Sequence, residues 1–307
     1  MPENNYDLII IGTGAAGLAA SIYASRYKIN HLVIGQKTGG LAAWSHMIEN
    51  YPGTLTITGQ DLMNKFMEHA KHYGAPVIES QVLEVKKEND LFKVTLPDNK
   101  IFWAKALVLA LGTERKKLGV PGEQEFWGRG VTYCATCDAP LYKNRTVAVV
   151  GGGDSALTAA LLLASYAQKV YLIHRRDQFA GQEMWQHKVA ENSKIVSIFS
   201  TNILEIKGDK VVKELILDRP YENSTSLPVN GVFIEIGSTP SIYLTKQLNI
   251  DLDDHQYIKV DNNNQTNLEG VFAAGDVTNQ NHLKQILTAA SQGAVAAYSA
   301  YKFLFKK

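Results

Sequence analysis

Two cysteines stand at a spacing that suits reversible disulfide chemistry. Cys134 and Cys137 are the only cysteines among the 307 residues, and the two residues between them allow their thiols to close a small disulfide. An incidental pair, half of a zinc site and a structural disulfide are the alternatives. The chain has no second CxxC to complete a zinc site, and structural disulfides are rare in cytosolic proteins. The favoured interpretation is a redox-active dithiol, with Asp138 beside it as a proton donor or acceptor.

Two glycine-rich turns match the pattern that receives the pyrophosphate of a dinucleotide. Their residues are Gly12, Gly14 and Gly17 in the first turn, and Gly151, Gly153 and Ala156 in the second. In this pattern the first glycine permits a tight turn, the second lets the backbone approach the phosphates, and the third allows close helix packing. A glycine turn without a ligand is the alternative, but each turn follows an apolar run and precedes a helical pattern. Two such turns predict two nucleotides.

The residues after the second strand of each unit indicate which nucleotide binds. An acidic residue there would bond a ribose 2′-hydroxyl, whereas arginine accommodates a 2′-phosphate. His174, Arg175 and Arg176 follow the predicted strand 169–173, which favours NADPH over NADH; the alternative is a solvated basic turn. The predicted strand 31–34 is followed by a Gly-Gln-Lys sequence without a carboxylate, so we expect FAD at the first turn.

The elements that carry these residues occur twice in the same order: strand, glycine turn, helix, then further strands. Gly12 and Gly151 lie 139 residues apart, which suits two tandem nucleotide-binding domains. A last strand at 270–276 and a helix at 283–305 have no glycine turn of their own, so we expect them to complete the first domain. The predicted fold is α/β, with two Rossmann-like three-layer nucleotide-binding domains, the second inserted into the first. The predicted boundaries are 1–116 and 244–307 for the FAD domain and 117–243 for the NADPH domain.

Shorter patterns predict the elements between these landmarks. A polar helix is expected at 61–72. Apolar runs at 100–103 and 106–110 predict two separate strands, and the runs 203–206 and 211–217 predict a two-stranded hairpin.

Composition excludes several classes of protein. Lys and Arg total 31 against 30 Asp and Glu, and the net charge of +1 provides no global field for nucleic acid or an anionic membrane. Glycines interrupt the apolar run 8–20, so we interpret it as a strand and turn rather than a signal peptide. No stretch reaches the roughly 18 to 20 apolar residues of a bilayer span. We therefore expect a cytoplasmic protein without a metal site that binds neither nucleic acid nor membrane.

In their order along the chain, these motifs resemble those of the low-molecular-weight thioredoxin reductases. They are GTGAAG at 12–17, ENYPG at 49–53, CATCD at 134–138, GGGDSA at 151–156, HRR at 174–176 and GVFAAGD at 270–276. The resemblance implies a homodimeric flavoenzyme. Electrons would pass from NADPH through FAD to the Cys134–Cys137 disulfide and on to thioredoxin or a thioredoxin-like protein. It further implies that Cys137 faces the flavin and that Cys134 attacks the partner.

The resemblance also implies which residues hold the cofactors. Asp276 would bind the ribityl chain of the flavin. The FAD-site residues that it implies are Gly12, Gly14, Ala15, Gly17, Gly40, Asn50, Gly112, Gly275, Asp276, Lys284 and Gln285. The NADPH-site residues are Gly151, Gly153, Asp154, Ser155, Ala156, His174, Arg175 and Arg176. The catalytic residues are Cys134, Cys137 and Asp138.

Five residues, at four places along the chain, depart from the usual pattern of this family. Ala180 replaces the last arginine of HRRxxxR, Leu41 replaces a glutamine after two glycines, Thr158-Ala159 replaces two glutamates, and Lys284 replaces an arginine before glutamine. These changes fall on the nicotinamide site and the flavin surroundings. Two alternatives therefore stay open within flavin–dithiol chemistry: a small-molecule dithiol oxidase or disulfide reductase, and a related enzyme fed by reduced ferredoxin or reduced flavin. A non-catalytic, nucleotide-binding redox sensor is an alternative from another class.

Overall fold

In the computed structural model, which describes residues 4–45, 47–280 and 283–305, the chain divides into two units. The first unit contains the residues up to Glu114 and those from Thr239 onward, and the second runs without interruption from Arg115 to Ser238. The chain crosses from one unit to the other in two short strands, β7 (Thr113–Arg115) and β16 (Ser238–Pro240), which pair with each other.

A seven-stranded sheet forms the centre of the first unit. Its strands are β1 (Asn5–Ile11), β2 (His31–Gly35), β3 (Val77–Glu79), β4 (Glu84–Glu88), β5 (Leu91–Thr95), β6 (Ile101–Leu109) and β17 (Val271–Ala273). The order is β3-β2-β1-β6-β5-β4, with β17 also paired to β6. The strands β1, β2, β3, β6 and β17 are parallel, whereas β4 and β5 add an antiparallel meander. The carboxyl ends of the parallel strands therefore share the edge at which Gly12 follows β1.

Three helices cover one face of this sheet. They are α1 (Ala15–Arg26), α2 (Gly59–His72) and α6 (Ile286–Phe305), and a 3-10 helix spans Gly40–Trp44. Leu8 and Ile10 pack beneath the helices, whereas Ile9 and Ile11 face a second core with residues of the meander, as the two-residue period of a strand requires. The first unit is therefore built in layers, with helices on one side of the sheet.

The strand β6 corrects one prediction. The runs predicted as separate strands at 100–103 and 106–110 form a single strand, Ile101–Leu109. Lys105 lies between the two apolar runs, but its side chain is 61% exposed and its Nζ lies 2.8 Å from Asp7 Oδ1. The charged side chain reaches the surface without interrupting the strand pairing. A prediction from hydrophobicity alone therefore split one strand into two.

The second unit repeats the architecture. Its parallel sheet contains β8 (Val131–Thr132), β9 (Thr146–Val150), β10 (Lys169–Ile173), β11 (Ile195–Ile198) and β15 (Gly231–Ile234), in the order β11-β10-β9-β15-β8. Its helices are α3 (Ala135–Asp138), α4 (Asp154–Ala164), α5 (Glu183–Ala190) and a 3-10 helix at Ala139–Tyr142. Val147 and Val149 face α4, while Ala148 and Val150 face an antiparallel sheet on the other side.

That antiparallel sheet also corrects a prediction. It has three strands rather than the two of a hairpin: β12 (Ile203–Gly208), β13 (Val212–Tyr221) and β14 (Ser224–Pro228). The sequence of β14 is mostly polar, and only Leu227 of this strand is buried. The strand forms through its pairing with β13, so hydrophobic periodicity did not identify it.

No helix within residues 4–45, 47–280 and 283–305 is long and apolar enough to cross a membrane. Over the same ranges, no group of three or more His, Cys, Asp or Glu side chains could hold a metal ion.

A buried histidine in the first unit makes stability depend on pH. His31 is 5% exposed, its Nδ1 lies 3.0 Å from the Ile29 carbonyl oxygen, and its Nε2 lies 3.0 Å from Ser21 Oγ. The carbonyl can only accept, so the ring donates through Nδ1 and Ser21 donates to Nε2 of a neutral imidazole. Burial lowers the pKa of His31, and the hydrogen bond to Ile29 raises it by less.

We expect the His31→Gln variant to lose stability at neutral pH and to show a flatter pH dependence. The unfolded histidine gains a proton below about pH 6.5 while the folded one does not, so His31 destabilises the fold as pH falls through that value. Thermal unfolding midpoints of wild type and variant at about pH 7.5 and pH 5.5 measure the difference. His255→Gln, at an exposed position, is the control. If the unfolding midpoint falls between about pH 7.5 and pH 5.5 by nearly as much in His31→Gln as in wild type, other groups cause the pH dependence of stability.

Candidate functional site

The first glycine turn contains two glycines that the fold requires and one that it does not. A Cβ on Gly12, whose φ is 123°, would lie 2.1 Å from the Ala110 carbonyl oxygen, and a Cβ on Gly17 would lie 1.8 Å from the Gly12 carbonyl oxygen. Gly14 has an ordinary φ of −79°, and a Cβ there would meet only the Gly39 carbonyl oxygen, at 4.0 Å. The protein itself leaves space beside Gly14 at the start of α1. This open backbone fits the close approach of a pyrophosphate.

Several of the predicted FAD-site residues gather around this turn. Ala15 is the first residue of α1 and is buried. A Cβ on Gly40 would lie 3.7 Å from the Gly14 Cα, and a Cβ on Gly275 would lie 2.9 Å from the Ala16 Cβ. The turn therefore meets both the 3-10 helix after β2 and the segment after β17.

Two further pairs of predicted residues interact, one across 235 positions of the sequence and one within a single segment. Asn50 Nδ2 donates to Gln285 Oε1 at 2.9 Å. Asp276 and Lys284 interact electrostatically: burial raises the pKa of Asp276, and the Lys284 ammonium offsets part of that increase. Burial also lowers the pKa of Lys284, whose Nζ donates to the Thr278 carbonyl oxygen at 2.5 Å. A partly desolvated carboxyl at this place suits hydrogen bonding to ligand hydroxyls.

Gly112 lies farther along the chain segment that follows β6. Its φ is 64°, and its carbonyl oxygen accepts a hydrogen bond from Ser241 N at 3.1 Å. These observations relate Gly112 to the segment after β16 rather than to the Gly12 turn.

Sequence reasoning missed Gln292, which positions the segment after β17. This glutamine lies on α6 and is only 7% exposed, and its Oε1 accepts a hydrogen bond from Gly275 N at 2.7 Å. The signal available was a polar residue between the apolar positions 290 and 294 of the predicted helix. Gln292 fixes the backbone immediately before Asp276.

The second glycine turn also contains one glycine that the fold requires, Gly151, and one that it does not, Gly153. A Cβ on Gly151, whose φ is 147°, would lie 2.2 Å from the Glu235 carbonyl oxygen. Gly153 has an ordinary φ of −94°, and a Cβ there would meet no protein atom within 4 Å. Ala156 is buried in the first turn of α4, and Ser155 beside it is exposed. The backbone at Gly153 is therefore open to a ligand in the way that Gly14 is.

Asp154 has a structural role at this turn. Its Oδ1 accepts a hydrogen bond from Gln182 N at 2.6 Å and its Oδ2 accepts from Gln182 Nε2 at 2.9 Å. Asp154 thereby connects the start of α4 to the residue before α5. The loop between β10 and α5 is also attached to the turn, because Ala180 N donates to the Gly152 carbonyl oxygen at 2.7 Å.

His174, Arg175 and Arg176 follow β10 and differ in exposure. His174 is 9% exposed and packs on Gly152, where a Cβ would lie 2.4 Å from the imidazole ring. Burial lowers the pKa of His174, and the charges of Arg176 and Arg175 lower it further. The two arginines are exposed. A buried neutral ring beside two exposed guanidiniums suits recognition of a phosphate at the carboxyl end of β10.

Cys134 and Cys137 form a disulfide with a Cα–Cα distance of 5.3 Å. Cys134 precedes α3 and is 8% exposed, whereas Cys137 within α3 is exposed. The Cys137 backbone N–H donates to Cys134 Sγ at 3.2 Å. A hydrogen bond to this sulfur stabilises negative charge on it when the disulfide is reduced.

The strand before the disulfide fixes its backbone. Thr132 Oγ1 accepts a hydrogen bond from Cys134 N at 3.2 Å and donates to Asp138 Oδ2, so Thr132 connects both ends of the motif. Tyr133 Oη donates to Glu123 Oε1 at 2.5 Å. Burial and the Glu123 carboxylate raise the pKa of Tyr133. Hydrogen bonds from Thr132 therefore tie the dithiol segment to β8, with Asp138 in the same hydrogen-bond network.

Known proteins resemble this chain over nearly its full length. The pattern of the pyridine nucleotide-disulphide oxidoreductase family matches residues 6–293. The thioredoxin reductase of Peptoclostridium acidaminophilum is 40% identical over 311 residues, covering 98% of each chain. The thioredoxin reductase of Listeria monocytogenes is 40% identical over 307 residues, covering 98% of this chain and 95% of that protein.

Solved structures give the same result. The crystal structure of Lactococcus lactis thioredoxin reductase is 36% identical and superposes with a TM-score of 0.93, covering 98% of this chain and 100% of that one. Sequence and fold agree over both units. The chain therefore belongs to the pyridine nucleotide-disulphide oxidoreductases and, within them, to the low-molecular-weight thioredoxin reductases.

Proposed function

We propose that this protein is an NADPH-dependent, FAD-containing reductase whose Cys134–Cys137 pair reduces the disulfide of thioredoxin or a thioredoxin-like protein. One observation carries the proposal: Gly14 and Gly153 have ordinary backbone angles and no protein neighbour that excludes a side chain. Glycine at these two positions is explained by a ligand that approaches the backbone. Family membership supports FAD at the first turn and NADPH at the second.

The proposed division of cofactors follows the two units. In the first unit the FAD-site residues would be Gly12, Gly14, Ala15, Gly17, Gly40, Asn50, Gly112, Gly275, Asp276, Lys284 and Gln285. In the second unit the NADPH-site residues would be Gly151, Gly153, Asp154, Ser155, Ala156, His174, Arg175 and Arg176. FAD held in the first unit would supply the two-electron chemistry that connects hydride donation by NADPH to reduction of the Cys134–Cys137 disulfide.

The reduced dithiol then acts through two exchange steps. The Cys134 thiolate attacks one sulfur of the partner disulfide, which breaks that bond and forms a mixed disulfide. Cys137 then attacks the Cys134 sulfur, so that the Cys134–Cys137 bond forms and the partner leaves as a dithiol. Asp138 is proposed to exchange the protons of these steps, and its bond from Thr132 holds it in place. The Cys137 N–H bond to Cys134 Sγ supports Cys134 as the attacking thiolate.

A second candidate differs in the electron donor. Ala180 is exposed and attached to Gly152, yet it offers only a methyl group where the family usually has an arginine. Thr158 replaces a glutamate, and its hydroxyl is used within α4 by donating to the Asp154 carbonyl oxygen at 2.8 Å. Reduced ferredoxin or reduced flavin as donor, and a small disulfide as acceptor, are therefore the alternatives. Anaerobic titration with NADPH, followed by flavin absorbance, separates these donors.

We further propose that the enzyme is a cytoplasmic homodimer. The homodimer follows from the resemblance to the low-molecular-weight thioredoxin reductases, and the cytoplasmic location is the expectation from the sequence composition. A reversible dithiol fits a compartment in which thiols are kept reduced. Light scattering coupled to gel filtration measures the mass in solution, and a monomeric mass would contradict the dimer.

Substitutions of the glycines test the first turn. We expect Gly14→Val to fold but to lose bound FAD, because its side chain has room in the protein and would occupy the ligand's approach. Gly153→Val should likewise weaken NADPH binding and keep FAD. Gly12→Ala is the contrasting variant and should unfold, because its Cβ would overlap the Ala110 carbonyl. Flavin content and circular dichroism measure both properties. Full flavin content in folded Gly14→Val would contradict the assignment of the first glycine turn to the FAD site.

Arginine substitutions test the choice of nucleotide. A charge-assisted hydrogen bond contributes about 1.5 to 3 kcal/mol, so one missing arginine contact relaxes NADPH preference by roughly tenfold to a hundredfold. Ala180→Arg should raise the preference for NADPH over NADH, and Arg175→Ala with Arg176→Ala should remove it. Steady-state kcat/KM values with both nucleotides measure the preference. Arg219→Ala, an exposed change on β13, should leave it unchanged. Turnover with ferredoxin but with neither nucleotide would contradict the NADPH assignment.

Cysteine variants test the order of attack. Cys137→Ser leaves Cys134 unable to complete the exchange, so it should form a mixed disulfide with a thioredoxin that carries an activated single cysteine. Cys134→Ser should form far less of this adduct, and the double Cys134→Ser, Cys137→Ser variant none. Non-reducing electrophoresis measures the adducts. More adduct with Cys134→Ser than with Cys137→Ser would assign the attack to Cys137. Cys137 is the more exposed of the two residues in this structure.

A further inference from the structure

A buried ion pair lies at the carboxyl end of β15 in the second unit. Glu235 directly follows this strand, and its side chain is 4% exposed. Its carboxylate accepts a hydrogen bond from Arg115, whose side chain is 22% exposed. Neither residue belongs to the glycine turn, the arginine pair or the dithiol.

The strand order places this ion pair on the β15 side of the proposed nucleotide site. From β9 the chain continues to β10 and β11 on one side, whereas β15 lies on the other side of β9. The order reverses between β9 and β15, and in open parallel sheets a dinucleotide binds across such a switch point. The Glu235 N–H donates to the Val150 carbonyl oxygen at 2.8 Å, which places Glu235 beside the end of β9.

The order of groups along NADPH then fixes which part lies near Glu235. The arginines after β10 suit the 2′-phosphate of the adenosine half, and the turn after β9 suits the pyrophosphate. The nicotinamide riboside therefore extends to the β15 side of the switch point. Glu235 is the ionisable residue at the end of that strand.

The residue of the first unit that is equivalent to Glu235 is Ala110, whose side chain carries no charge. The first glycine of each turn approaches a carbonyl oxygen of the neighbouring segment, and this oxygen belongs to Ala110 in the first unit and to Glu235 in the second. The glycine turn thus needs only a backbone group from this residue. The carboxylate is an addition to the unit that we propose to bind NADPH.

The nicotinamide ring changes charge during the reaction. In NADPH the dihydronicotinamide ring is neutral, and loss of a hydride, with its two electrons, leaves a ring of charge +1 in NADP⁺. We infer that Glu235 and Arg115 discriminate between NADP⁺ and NADPH, an inference that rests on the proposed function. Ionised Glu235 favours the cationic nicotinamide ring of NADP⁺. When Glu235 is neutral, the positive charge of Arg115 opposes binding of that ring. Glu235 is thus a specificity-determining residue for the redox state of the nucleotide.

The charge of the pair changes within the physiological range of pH. Burial raises the pKa of Glu235 to about 7, and Arg115, the charged group that faces it, lowers it by less than burial raises it. Below this value the pair carries +1, and above it the pair is neutral. Affinity for NADP⁺ relative to the reduced nucleotide should therefore rise as pH rises.

Calorimetric titration of the flavin-loaded enzyme tests the inference. NADP⁺ is compared with tetrahydro-NADP, a neutral-ring analogue that cannot donate a hydride, at about pH 6 and pH 8.5. We expect the ratio of the NADP⁺ to the analogue dissociation constant to fall roughly tenfold between these values, which is about 1.4 kcal/mol. NADP⁺ binding near pH 7 should also release protons, measured from buffers of different ionisation enthalpy.

Variants separate this role from a structural one. Glu235→Gln should keep the low-pH ratio at both pH values. The double variant Arg115→Gln, Glu235→Gln should also lose the pH dependence, because neither charge of the pair remains. Glu235→Asp should retain a pH dependence. Glu205→Gln, which removes a partly exposed carboxylate from the same unit, should behave as wild type.

Two outcomes overturn the inference and are distinguishable. If both nucleotides bind and the ratio is the same at both pH values in wild type, Glu235 does not discriminate between them, while the proposed NADPH site stands. If neither nucleotide binds at either pH, the proposed NADPH function fails, and this inference fails with it.

Discussion

The position of both nucleotide turns depends on one steric constraint, the approach of a turn glycine to a carbonyl oxygen of the neighbouring segment. Gly12 meets the carbonyl of Ala110, and Gly151 meets the carbonyl of Glu235. No side chain fits at either contact, so the backbone after β1 and after β9 must turn there. The starts of α1 and α4 follow from this turn. The open backbone at Gly14 and Gly153 is thus a consequence of how tightly their neighbours are packed.

The two units place polar side chains differently around the same turn. In the first unit Gln292 holds the Gly275 backbone, and Asp276 stays partly desolvated beside Lys284. In the second unit the Asp154 carboxylate holds Gln182, whereas the arginines after β10 are exposed. In the proposed function, the turn receives a pyrophosphate in both units, and the residues at the strand ends distinguish the two nucleotides.

Much of this organisation was predictable from local sequence. The apolar runs of β1, β9 and β10 and the glycines after them are local signals, and the family assignment is confirmed. The continuity of β6 and the strand β14 were missed, because they depend on an outward lysine and on pairing with β13. The contacts Asn50–Gln285 and Arg115–Glu235 join residues 235 and 120 positions apart, and no local pattern records such pairs.

The close contact between α1 and α6 has a consequence for the order of folding during synthesis. A Cβ on Gly293 would lie 2.0 Å from the Ala16 carbonyl oxygen, so the last helix packs directly on the first. The second unit is one continuous segment and has all its strands once Ser238 has left the ribosome. The first unit still lacks β17, α6 and the segment between them at that point, and with that segment four of the eleven residues proposed for the FAD site. The dithiol-bearing unit can therefore fold first, and FAD uptake awaits the synthesis of α6.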